Sequence, residues 1–73
     1  MNEDRTRQIL TEIRLYGRLN GYPPSRRELA ATLKTSTSVI NYYLERMQAA
    51  GLVEVDWRTA RGIRLTRSGN NGR

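Results

Sequence analysis

Arg58-Thr59-Ala60-Arg61 sets two guanidinium groups around a hydroxyl within four residues. A planar fork of N–H donors and a short donor-acceptor are the groups that grip phosphate. A second set lies upstream in Ser36-Thr37-Ser38 and Asn41-Tyr42. Asn pairs bidentately with adenine, Ser and Thr bond a base edge or a phosphate, and Tyr meets a phosphate or a thymine methyl. Arginine supplies twelve of the 13 basic side chains, which outnumber 7 acidic ones and leave a net charge of +6 over 73 residues. That balance points to a polyanionic partner. Enzymatic chemistry has much less to work with. His and Cys are both absent, which removes the commonest general base, the thiol nucleophile and the usual zinc ligands together. No catalytic residue, metal site, cofactor or small-molecule substrate is expected, and the chain reads as a non-enzyme.

The length and a hydrophobic content of 37% allow one small core and one domain. Ile9, Ile13 and Tyr16, flanked by Leu10 and Gly17, form the apolar stripe of a helix over about 4–20, which leaves Arg7, Arg14 and Arg18 as a solvated face. Gly21 and the extended Tyr22-Pro23-Pro24 end it. Ser25-Arg26-Arg27-Glu28 is a capping box. It opens a second helix through Leu33 that buries Leu29, Ala30 and Leu33. After Lys34-Thr35-Ser36, a third helix is predicted over 37–50, with Ile40, Tyr43, Leu44 and Met47 at helical spacing. Gly51 closes it, and Leu52 folds back on its last turn. Val53 and Val55 then alternate with Glu54 and Asp56, and Ile63 and Leu65 with Arg64 and Thr66. Those are two half-buried strands joined by the loop Trp57 to Gly62.

The expected fold class is therefore mainly α with a small β element: a three-helix winged helix-turn-helix with a C-terminal two-stranded antiparallel wing. Residues 1–67 form the domain, and 68–73, without an apolar side chain, a flexible tail. No apolar run approaches a membrane span, so a cytoplasmic protein with no membrane partner is expected.

The short turn makes the second and third helices cross steeply. Glycine is the commoner residue where Lys34 stands. Opposite the Ile40, Leu44 and Met47 face, the third helix carries Ser38, Asn41, Tyr42, Glu45 and Ala49. Asn41 and Tyr42 are the foremost candidates for base contact. At least one of Ser36, Thr37 and Ser38 is expected to cap the helix, and Tyr43 belongs to the core. Glu45 either accepts from a cytosine amine or pairs with an arginine such as Arg46. Arg26, Thr37 and Arg46 are candidate phosphate contacts from the helices, and Arg58, Thr59 and Arg61 from the wing. Trp57 braces the loop or lies along the sugar-phosphate edge. Residues 1–56 hold eight basic and seven acidic side chains, whereas 57–73 hold five arginines and no acid. General attraction is thus expected in wing and tail, and sequence choice on the nearly uncharged third helix.

The stretch Gly21-Tyr22-Pro23-Pro24-Ser25-Arg26-Arg27-Glu28-Leu29-Ala30, the passage Ala50 to Glu54 and the wing Ala60-Arg61-Gly62-Ile63-Arg64-Leu65 resemble the N-terminal DNA-binding domain of the LexA family of SOS-response repressors. The resemblance runs over about 5–66. It implies a winged helix-turn-helix that binds a double-stranded DNA operator and represses transcription. By that likeness the base-reading positions fall on Ser36, Ser38, Asn41 and Tyr42, with wing contacts from Arg58 to Arg61. The family's second domain, with its Ser-Lys self-cleavage dyad and dimer interface, has no counterpart in this sequence, whose sole lysine is Lys34. The expectation is a stand-alone regulator, bacterial or phage-encoded and nucleoid-associated, that acts as a weak homodimer or a cooperative dimer on DNA. The chain is one residue shorter than its relatives at the start of the third helix, and Asn41-Tyr42-Tyr43 differs from them, so its operator need not be theirs. The alternative is a winged-helix protein-interaction module that binds another regulator, for which Leu15 and Leu19 offer an i, i+4 apolar pair.

Overall fold

Capping chemistry divides the helices where the sequence expects. In the computed structural model, which describes residues 3–70, the elements are α1 (Glu3–Asn20), α2 (Arg26–Thr32), α3 (Thr37–Ala49), β1 (Val53–Val55), β2 (Ile63–Leu65) and α4 (Arg67–Asn70). The capping box of α2 is complete: Ser25 Oγ accepts the Glu28 N–H at 3.1 Å, and Glu28 Oε1 accepts the Ser25 N–H at 2.9 Å. At its far end Lys34 takes up the left-handed conformation, φ 57°, that glycine usually fills. Two bonds hold it there, Thr35 N–H to the Ala30 carbonyl at 2.9 Å and Lys34 N–H to Ala31 at 3.3 Å. The helix-turn-helix corner is thus a Schellman closure built on a lysine. Ser36 then caps α3, its Oγ accepting the Val39 N–H at 3.1 Å. The end of α3 repeats the device with Gly51 at φ 80°. There Leu52 N–H reaches the Met47 carbonyl at 2.9 Å and Gly51 N–H reaches Gln48 at 3.0 Å.

The core is the sum of the inward faces. Ile9, Leu10 and Ile13 come from α1, Leu29 and Ala30 from α2, Ile40, Leu44 and Met47 from α3, and Val53 and Ile63 from the strands, all buried. Leu33, Tyr43, Leu52, Val55 and Leu65 are half-buried around them. The wing is an antiparallel ribbon with Val53 opposite Leu65, Glu54 opposite Arg64 and Val55 opposite Ile63. Alternation is kept: Val53 and Ile63 face the core, while Glu54 and Arg64 face out and pair with each other across the strands. Gln48 on α3 ties the ribbon to the helix by accepting the Val55 N–H at 3.2 Å.

Between the strands the backbone doubles back tightly, with Asp56 N–H on the Gly62 carbonyl at 2.8 Å and Thr59 N–H on the Asp56 carbonyl at 3.2 Å. A Cβ at Gly62 would collide with the Asp56 carbonyl and the Thr59 side chain. Gly62→Ala is therefore expected to open the wing loop while leaving the helices intact. Far-UV circular dichroism should stay near wild type while the Trp57 emission shifts.

Two expectations are corrected. Structure continues past residue 67 into the single turn α4, where Gly69 is buried. Its N–H donates to Thr66 Oγ1 at 3.2 Å, and the Thr66 hydroxyl donates in turn to the Gly51 carbonyl at 2.6 Å. Thr66 thus anchors a segment whose composition suggested a tail from 68; the rest of that tail, 71–73 with Arg73, lies outside the described residues. Arg14 also leaves the solvated stripe. It is half-buried, with Nη2 on the Gly69 carbonyl at 3.5 Å, because α4 covers that side of α1, whereas Arg7 and Arg18 remain exposed. Among the described residues, no helix is long and apolar enough to cross a membrane.

Candidate nucleic-acid interface

A helix advances about 100° per residue. Relative to Ile40, that places Ser38, Tyr42 and Glu45 on the far side of α3, and all three are exposed. Tyr42, 48% exposed, stands edge-on to Tyr43 with ring centroids 5.4 Å apart. The Arg46 guanidinium lies over the Tyr42 ring, 5.7 Å from its centroid. Arg46 is thus turned to an aromatic face, leaving Glu45 exposed beside it. Thr37 is exposed in the first turn.

Asn41 differs from the outward placement read from the sequence. It sits about 60° from Leu44 around the helix, close enough to border the buried stripe, and it is half-buried. Its Oδ1 is shielded from solvent and has no hydrogen-bond partner. A sheltered acceptor left unsatisfied is costly, and an amino group brought to it would be bound strongly. Ser36 has its Oγ held at the cap by the Val39 N–H, which leaves its O–H and a second lone pair to be offered outward.

The wing leans on the start of α2. Arg26 Nη1 donates to the Thr59 carbonyl at 3.1 Å, and its guanidinium lies 5.2 Å from the Trp57 ring centroid. Trp57 is thereby a brace, 38% exposed. Ser25, Arg26, Arg27, Thr37 and Ala60 line one open cleft, so the starts of α2 and α3 and the wing tip face a common space. Arg61, from the other side of the loop, forms a fork with Glu28: Nη1 to Oε1 at 2.8 Å and Nη2 to Oε2 at 2.9 Å. Nη1 also donates to the Pro23 carbonyl at 2.8 Å.

The charge map read from the sequence changes accordingly. Every wing arginine has an acidic partner: Arg58 with Asp56 at 3.1 Å, Arg61 with Glu28 and Arg64 with Glu54. Among the described residues, Arg26, Arg27 and Arg46 have no carboxylate partner. The uncompensated charge near the candidate face therefore sits on the helices. Linear order hid this, because Glu28 is 33 residues from Arg61.

The Arg61 fork, followed by the Ser25 N–H, holds the Glu28 carboxyl down at about 2 from its ordinary 4.5. The Arg58 side chain and backbone N–H lower Asp56. Both folded values lie below the unfolded ones, so the stability these groups lend is present in full above their ordinary range and is lost as the pH falls. For Glu28 the window runs from about 4.5 down to about 2. Acid titration should therefore change Trp57 emission within that window. A signal flat from pH 5 to about 2 would show that the fork does not hold the wing.

A family model described as the LexA DNA binding domain matches residues 3–62. The chain belongs to the LexA DNA-binding domain family. It is 42% identical over 62 residues to a LexA repressor of Roseiflexus sp. (strain RS-1), a match that takes in 84% of this chain and 28% of the relative. Identity is 37% over 62 residues to LexA repressor 1 of Geobacter sulfurreducens and 32% over 63 residues to a LexA repressor of Clostridium botulinum. The chain spans about 31% of each of these two. Within this LexA-family domain, the structure brings Ser38, Tyr42 and Arg46 onto one exposed face, with Thr37 at its start and Asn41 at its margin. Arg26, Thr59 and Arg58 lie in or beside the wing. Arg61 is the exception: it is exposed, but its guanidinium is turned onto Glu28 and Pro23. The sequence reading omitted Arg27, which the capping box masked as a bystander, and passed over Glu28 as a cap alone.

Proposed function

We propose that this domain binds a double-stranded DNA operator sequence-specifically and represses transcription, with α3 in the major groove and the loop 57–62 on the backbone or minor groove. The observation that carries this is the exposed face of α3: hydroxyls and a tyrosine with Glu45 and Arg46 beside them, a shielded unsatisfied amide at the margin, and Arg26 and Arg27 across the cleft from Thr37. Membership of the LexA family and the repressor names of its relatives support it. Ser38, Asn41 and Tyr42 read base edges, and Ser36 adds what its hydroxyl has left beyond the cap. Thr37, Arg26, Arg46, Arg58 and Thr59 meet the backbone. A module of this size buries roughly 600–1,000 Å² on DNA, so two copies on a two-fold site, associating weakly or only on the duplex, are the working unit. Its place is the bacterial cytoplasm, on the nucleoid, and it works without cofactor or catalysis.

Selection of bound duplexes from a random pool tests this. A two-fold symmetric site should emerge, and Asn41→Ala should cost about 1–3 kcal/mol on it and relax one base position. A pool that stays random would sink the reading. Leu15 and Leu19, 45% and 74% exposed on α1, would then become the place to look for a protein partner.

A further inference from the structure

Arg61 is surrounded as a structural fastener is. Besides the Glu28 fork and the Pro23 carbonyl, its Nη1 lies 3.4 Å from the Tyr16 hydroxyl. Its guanidinium sits 4.7 Å from the Tyr22 ring centroid and 5.8 Å from that of Tyr16. One side chain from the wing loop thus engages α1, the α1–α2 link and the first turn of α2. Arg26 ties the same elements in the opposite direction, from α2 to the Thr59 carbonyl and Trp57. The ribbon between these ties has only three residues per strand, too little to hold its own orientation.

We propose that Arg61 is a positioning residue: through its fork with Glu28 it fixes the wing on the start of α2 before any duplex arrives, so that α3 and the wing tip meet DNA at a preset separation. This rests on the DNA-binding reading above. A wing ordered in advance spares the ordering cost that a loose one would incur on binding. The rival role, Arg61 as a phosphate ligand, makes opposite demands on Glu28. A carboxylate beside a phosphate ligand weakens DNA binding, whereas a carboxylate that anchors the wing strengthens it.

Two variants separate these roles. Glu28→Gln keeps an oxygen for the Ser25 cap and removes the charge, and Arg61→Lys keeps the charge but cannot form the fork. With the duplex selected from the random pool, each should lose affinity by roughly tenfold, and the double variant should lose no more than either, as expected of touching residues that act as a unit. Glu28→Gln binding as tightly as wild type, or more tightly, overturns the proposal. Without DNA, acrylamide quenching of Trp57 should rise in both variants while circular dichroism shows the helices intact and the thermal midpoint stays well above the measurement temperature. Unchanged quenching overturns the proposal whether or not the chain binds DNA. If wild type selects no duplex, the DNA-binding reading fails on its own, and the quenching result still decides whether Arg61 sets the wing.

Discussion

Raising monovalent salt from about 50 to about 200 mM is expected to weaken operator binding by roughly a hundredfold. Each phosphate neutralised releases condensed counterions, and the slope of log K against log salt is about −0.9 per contact. The sequence offers four or five arginines for this, a slope of roughly −3.6 to −4.5. The positioning role proposed for Arg61 takes it out of this set, since both its terminal nitrogens are engaged by Glu28 and Pro23. Arg26, Arg46 and Arg58 remain and Arg27, exposed at the start of α2, joins them, so with four contacts the slope is about −3.6. Titrations at four salt concentrations would check it. A slope of about −4.5 or steeper would return Arg61 to the backbone contacts, and a flat line would remove the electrostatic basis of binding altogether.

Leu44→Ala is expected to be the most damaging single truncation on α3, costing about 2–5 kcal/mol. Leu44 is fully buried, on the same helix as the exposed Tyr42. At roughly 0.05–0.15 kcal/mol per residue, a domain of 73 residues holds about 4–11 kcal/mol in all. The substitution would therefore remove a large part of the stability and shift the urea midpoint sharply. Tyr42→Ala should behave in the opposite way, with stability changing by about 0.5 kcal/mol or less while operator affinity falls. A loss below about 1 kcal/mol for Leu44→Ala would mean that the core does not close over α3 as described.

What the sequence made legible is what short-range chemistry dictates. The Ser25–Glu28 box, the glycine end at Gly51 and the alternation across Val53 to Leu65 are written within a few residues of each other, and all three stand in the structure. The LexA likeness and the helix-turn-helix followed from those pieces. What it could not show depends on distant segments meeting. Nothing near Arg61 announces Glu28, and nothing near Ser68 announces that Thr66 will bond to Gly51 and hold α4 in place. Asn41 was placed on the correct helix but too far from the core, because a stripe drawn through Ile40, Leu44 and Met47 has a width that letters alone do not reveal. The wing's arginines stand where the sequence puts them, but their pairing is not legible there, since the compensating carboxylates include Glu28, which lies far upstream.

The ties between wing and body also bear on the order in which the chain assembles. The corner between α2 and α3 closes over a handful of residues, whereas the bonds from Arg26 to Thr59 and from Arg61 to Glu28 and Tyr16 span 33 to 45 residues. Long closures become favourable only once both ends are largely formed. The helix-turn-helix is therefore expected to form first and the ribbon to condense on it. In native-state hydrogen exchange the ribbon amides are then expected to open at lower free energy than those of α2 and α3.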